Sequence, residues 1–204
     1  MGPDDSVAQA GAHDVELARA LVPVLLERIE STTARIARIE MRLIERREDD
    51  GADAELAREA HEAEALGWLL GWISGGLGAE LLLERHEPRA LELALDLVRC
   101  ALERQGCRLV VQAVPRITKA GGWRLAWGVA GLAWRAGSGD GSGSVELEIA
   151  CEQGRAKIAA AGDPAAAVRA RAGQLERELA GSQFLCGPVG WSWCFPGEWL
   201  EVPV

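Results

Sequence analysis

Asparagine and tyrosine are absent from this chain of 204 residues, phenylalanine occurs twice, and lysine is confined to Lys119 and Lys157. The missing Asn excludes any site that needs its carboxamide to hold a cation or a phosphate. The missing Tyr leaves tryptophan, with eight copies, as the main aromatic. A basic surface is lacking too. The 31 acidic residues outweigh 22 Lys and Arg, the formal charge is -9, and the arginines alternate with glutamates along helix-like stretches, so nucleic acid would find no cationic track. Cysteine is present but unpaired in pattern: Cys100, Cys107, Cys151, Cys186 and Cys194 form no CxxC and have no His at zinc-like spacing. Reduced thiols and no metal are expected. Met1 to Ala12 is polar and acidic rather than basic then apolar, so no signal peptide is read and a cytoplasmic location is expected. The glycine tract Gly137 to Gly143 is no phosphate loop, because no Lys-Ser/Thr follows it.

What is present in quantity is apolar sequence, 49% of the chain, and its spacing divides the chain in two. After a leader expected to be flexible, residues 1–13, the stretch Val15 to Ala79 carries two runs of one seven-residue frame. Val22, Leu25, Ile29, Thr32, Ile36, Ile39 and Leu43 mark the first; Leu56, Ala63, Leu66, Leu70, Ile73 and Leu77 mark the second. An acidic turn, Asp49 to Asp53, separates them. The pattern predicts an antiparallel helical hairpin over residues 14–86, kinked near Pro23. One hairpin cannot bury two seams and their flanks, so a homodimer closing a four-helix bundle is expected. Ala65 to Leu83 has Glu80 as its sole ionisable residue, but Gly67, Gly71, Gly75, Gly76 and Gly78 and the continuing frame favour helix packing over a membrane span.

Residues 87–204 read differently. A helix opening at Pro88 shows the face Leu91, Leu95, Val98 and Leu102. A strand follows over Leu109 to Val114, then a helix over Trp123 to Ala136. Val145, Leu147 and Ile149 alternate with Glu146 and Glu148 in a strand that hairpins into Arg155 to Ala161; an Ala/Arg-rich helix runs from Pro164 to Leu179, and Val189 to Phe195 with Trp199 to Val202 form a last hairpin. The fold class expected is α+β, a helical hairpin followed by an α/β sandwich of about five mostly antiparallel strands.

This order of elements resembles bacterial sensor histidine kinases and, more closely, the dimeric histidine phosphotransferases that keep the kinase shape without binding ATP. The family's phosphoacceptor segment, His-Glu/Asp-x-x-x-Pro-Leu, matches Ala18-Arg19-Ala20-Leu21-Val22-Pro23-Val24, with Ala18 at the histidine and Arg19 at the acid. Its Asn-Leu-x-x-Asn-Ala helix, which holds magnesium and phosphate, matches Gly131-Leu132-Ala133-Trp134-Arg135-Ala136. Its Asp-x-Gly-x-Gly segment is represented by Ala161-Gly162-Asp163-Pro164, with the order wrong and the second glycine absent. The resemblance therefore implies the shape of a kinase ATPase domain and, with its chemical groups gone, no ATP, no cofactor and no kinase activity.

Three histidines remain as chemistry. His13, beside Asp14, lies ten residues before Pro23, and His86 falls in the linker; His61, between carboxylates in mid-helix, is the better phosphoryl-carrier candidate of His61 and His13. An ordinary surface histidine is the simpler reading of each. Trp123, Trp127 and Trp134 share one predicted helix, and Trp191 and Trp193 one strand face. Core packing explains most of them, whereas any that are exposed would suit a protein-binding hot spot. With Arg19, Pro23 and Arg28 near the kink they form the candidate partner surface. The function expected is a non-catalytic regulatory or scaffold protein of a signalling system, a pseudo histidine kinase that binds a response-regulator receiver domain or another signalling protein. A phosphorelay phosphotransferase using a displaced histidine is the alternative, and a membrane-associated module a weaker one.

Overall fold

The computed structural model describes residues 3–45, 50–73, 87–111, 114–118, 122–138, 144–152, 155–161, 166–178, 181–187, 190–196 and 200–201. The chain divides into Ala18–Leu82 and a second unit made of Leu83–Val204 together with Met1–Leu17.

The first unit holds α1 (Pro3–Glu45) from Ala18 onward and α2 (Asp50–Ile73). Helix starts earlier than expected in both. Pro3 lies in the first turn of α1, where a missing N–H costs nothing, and residues 3–13 are part of the helix. Asp50 to Asp53, read as turn, form the first turn of α2. Pro23 sits inside α1 without ending it.

An ion-pair ladder fixes the antiparallel register: Arg28 to Glu62 at 2.9 Å, Arg35 to Glu59 at 2.7 Å and Arg42 to Glu55 at 2.7 Å. The arginines are seven residues apart, one per heptad on the same side of α1. Beside this ladder the heptad splits in two. Leu25, Thr32 and Ile39 on α1, with Ala52, Glu59 and Leu66 on α2, are all buried. Val22, Ile29, Ile36 and Leu43, with Leu56, Ala63 and Leu70, are all only half-buried. The expected apolar seam is therefore half closed, and its middle closed layer is polar. Glu59, 7% exposed, holds a core heptad position that its charge had made to look solvated, and Arg35 there also donates to Thr32 Oγ1 at 2.9 Å. A carboxylate persists in such a place because a guanidinium meets it and repays part of its desolvation.

In the second unit, α3 (Ala90–Glu103) presents Leu91, Leu95, Val98 and Leu102, each fully buried. Glu87 opens it, accepting the Arg89 N–H at 3.1 Å. It ends at Gly106, whose φ of +79° only glycine adopts without strain, while Cys107 N–H returns to the Leu102 carbonyl at 3.0 Å. Then come β1 (Arg108–Val111), β2 (Arg116–Ile117), α4 (Gly122–Ser138), β3 (Ser144–Glu152), β4 (Arg155–Ala161), α5 (Ala166–Glu178), β5 (Gln183–Gly187), β6 (Gly190–Pro196) and β7 (Leu200–Glu201). Five strands form one mixed sheet in the order β1-β3-β4-β6-β5, with β1 and β3 parallel and the other pairs antiparallel.

The alternation read in β3 holds: Val145, Leu147 and Ile149 are buried, Glu146 and Glu148 exposed. Ile158, Trp191, Trp193 and Phe195 are buried as well, and α3 packs on α4, α4 on β1 and β3, and α5 on α4 and β5. The class is α+β, a helix layer on a five-stranded sheet. One pairing was misread. The partner of β6 is not the last strand but β5, while β7 pairs with β2 across Arg116↔Glu201 and Ile117↔Leu200.

Candidate functional site

Around Pro23, the helix holds a small residue, Ala18, in a mixed setting. Ala18 is half-buried while Arg19 and Pro23 are exposed. Their methyl, guanidinium and pyrrolidine groups offer no nucleophile. Arg19 and Pro23 remain available to a partner, but Arg28 does not: its Nε donates to Glu62 Oε1 at 2.9 Å, so it is spent on the hairpin.

The second candidate lies along α4. Gly128 lets α5 lie directly on it, since a Cβ there would come within 2.5 Å of Leu175 Cδ2. One turn on, a Cβ at Gly131 would lie 3.1 Å from Arg135 Nη1 and 3.3 Å from Arg171 Nε. Arg135 and Arg171 are 3% and 4% exposed, and Arg135 Nη1 donates to the Gly131 carbonyl at 3.4 Å. Two guanidinium groups thus converge on the glycine. Sequence reading named Arg135 only as a mismatch and missed Arg171, which looks like one more solvated arginine in an Ala/Arg helix.

The tryptophans are not surface anchors. Trp123, Trp127, Trp134, Trp191 and Trp193 are 2%, 7%, 5%, 4% and 0% exposed, so the exposure that a hot spot requires is not met. They are buried inside the α/β unit, with the tilted rings of Trp193 and Phe195 4.8 Å apart and Trp191 5.8 Å from Phe184. Burial has a cost for two of them: the indole N–H groups of Trp123 and Trp193 meet no acceptor among the described residues.

His61 is exposed on α2. The side chain of His13, and His86 altogether, lie outside what is described, as do Asp163 and Pro164. A groove of about 480 Å³ opens beside α3 between Arg89, Glu92, Asp96, Arg99, Pro115 and Arg116. Its charges are matched along the helix, Arg89 with Glu92 and Arg99 with Asp96, each at 2.8 Å, and no nucleophile lines it. Among the described residues no group of three or more His, Cys, Asp or Glu could hold a metal ion. Nor is any described helix long and apolar enough to cross a membrane, although residues 74–83 of the apolar run lie outside the described set.

No family model matches the sequence, and no curated protein matches it. Solved structures do show likeness. The chain is similar to a bacterial phosphotransferase at 13% identity, over 95% of this chain and 97% of that one, with a TM-score of 0.40. It is similar to the Acinetobacter baumannii histidine kinase AdeS at 14% identity, over 81% and 93%, with a TM-score of 0.37. A histidine kinase from Burkholderia phymatum STM815 is similar at 14% identity, over 84% and 95%, with a TM-score of 0.36. Each likeness is one of helix and strand arrangement and does not reach to chemistry.

Proposed function

We propose that this chain is a non-catalytic, dimeric interaction protein of a two-component type of signalling system, a histidine-kinase-like scaffold that binds a receiver domain or another signalling protein without passing a phosphoryl group. One observation carries the reading: Arg135, buried beside Arg171 at Gly131, occupies the stretch where the resemblance implies amides that hold magnesium. A guanidinium there repels a divalent cation and offers it no lone pair. Ala18 supports the same reading at the phosphoacceptor position. The seven half-buried apolar heptad residues of the hairpin support the dimer.

The exposed position of His61 favours a second reading, a phosphotransferase that uses a displaced histidine. One set of measurements separates the two. Titration with Mg-ATP is expected to give no heat, and a dissociation constant below about 100 μM, roughly -5.5 kcal/mol, would contradict the proposal. Mixed with receiver domains of its host carrying a labelled phosphoryl group, the chain is expected to bind one of them without acquiring label. Label that appears on the wild type and is lost in His61→Ala would replace the scaffold with the phosphotransferase.

A further inference from the structure

Strand β5 forms one edge of the five-stranded sheet, with β6 as its strand neighbour among the described residues. Gln183, Phe184, Leu185, Cys186 and Gly187 give it neither a charge nor a proline. Sheet edges usually carry such a residue, which stops another strand from adding on, as β1 at the opposite edge does with its exposed Arg108. Leu185, by contrast, is a large apolar side chain left 46% exposed.

One contact sets the direction of the backbone groups of β5. The Phe184 N–H is donated to the carboxylate of Glu176 on α5 and not to β6. Because these directions alternate along a strand, Gln183, Leu185 and Gly187 turn toward β6, while Phe184 and Cys186 turn off the sheet. Side chains alternate too. Phe184 lies opposite the buried Trp193, so Leu185, opposite Ser192, stands on the other face, where Ala159 is next in its row.

We infer that β5 is a strand-addition edge for a second copy of this chain, paired β5 to β5 about a two-fold axis at Leu185 and latched in the single chain by Glu176. The register centred on Leu185 is the one that sets all five residues of the strand against its copy: Gln183 meets Gly187, Phe184 meets Cys186 and Leu185 meets itself. Phe184 and Cys186 then exchange both main-chain hydrogen bonds, and Leu185 falls at the site between them, where facing side chains come closest. A charged strand would find no answering charge on β5, whereas its own copy is uncharged and of equal length. Glu176 competes, since the added strand needs the Phe184 N–H that this carboxylate holds. A strip about 17 Å long and about 10 Å deep covers roughly 170 Å² per copy, well below the ~800 Å² of a stable interface, so the pairing is weak and takes effect where chains are concentrated. It is separate from the hairpin; hairpins and edges paired together would string copies into an open chain.

The test uses the full chain with Cys100, Cys186 and Cys194 changed to Ser, and adds either Leu185→Cys or Gln183→Cys, both exposed positions on the same face of β5. In oxidised glutathione, the thiols introduced by Leu185→Cys face each other across the two-fold axis, at a separation that a disulfide spans, whereas those introduced by Gln183→Cys lie at opposite ends of the strand pair. Disulfide-linked dimer on a denaturing gel is expected to form at least tenfold faster with Leu185→Cys. Equal rates overturn the self-pairing and leave the edge to a strand of another protein. Adding Glu176→Ala to Leu185→Cys is expected to raise the rate at least threefold, and an unchanged rate overturns the latch. Leu185→Lys, which sets like charges opposite each other, is expected to weaken the concentration-dependent association of the full chain at least tenfold on light scattering, with helicity unchanged. Association as strong as that of the wild type also overturns the inference.

Discussion

Trp193→Ala is expected to lower the unfolding free energy of the second unit by about 3–5 kcal/mol, a large part of the total that a domain of this size possesses. The side chain is fully buried in the sheet face, between Ile158 on β4 and Phe184 on β5, with its ring 4.8 Å from that of Phe195. Truncation removes its contacts with all three and leaves a cavity that a strand held between β4 and β5 cannot collapse into. Trp193→Phe is expected to behave differently. It also leaves a gap, yet it removes an indole N–H that meets no acceptor among the described residues, and burying such a donor costs about 1–3 kcal/mol. The two effects oppose each other, so the net loss should be about 1 kcal/mol. Urea melts followed by circular dichroism measure both, and a Phe variant as unstable as the Ala variant would mean that the N–H has a partner.

The second large effect is expected at Ile36 and Leu70. Both are half-buried members of the open heptad stripe, where the proposed second copy would cover them. A carboxylate at Ile36 would be desolvated in that interface with no cation assigned to it, since Arg28, Arg35 and Arg42 are already held by Glu62, Glu59 and Glu55. About 3 kcal/mol for each copy, counted twice because symmetry repeats it, makes about 6 kcal/mol, or roughly four orders of magnitude in the dimer dissociation constant. Ile36→Glu, and likewise Leu70→Glu, should therefore run as monomer or aggregate on sizing with light scattering. A variant that stays dimeric at low micromolar concentration would place the interface elsewhere.

These cases also show what sequence can and cannot reveal. The face of α3 was legible because Leu91, Leu95, Val98 and Leu102 repeat at helical spacing and nothing else competes for them; the same holds for the alternation of β3. Strand β5 was not legible. Gln183, Leu185 and Cys186 are all exposed, so this edge strand shows no apolar-polar alternation, and the final hairpin was assigned to the wrong pair of strands. Glu59, Glu62, Arg135 and Arg171 were hidden for one shared reason. A charged residue reads as solvent-facing until its surroundings are known, and here the partner stands 24 residues away for Glu59 and 34 for Glu62. The tryptophans failed in the other direction, since abundance alone could not tell a core from a docking surface.

The pairing of β7 with β2 has a mechanical consequence. Pro88, where the chain passes into α3, accepts a hydrogen bond from Ile117 N–H at 3.0 Å, and Ile117 pairs with Leu200 near the chain's far end. Pro88 and Leu200, the two ends of the stretch from α3 to β7, are thus clipped to one two-residue strand that is not part of the five-stranded sheet. Tension applied through those ends should load this clip first and peel it a bond at a time, while the Trp193 layer carries no force until the clip has opened. In an optical trap the unit is expected to yield in two steps, a small early extension at low force and then the sheet. A signal that pulls on its ends could release β7 without unfolding the body it fastens.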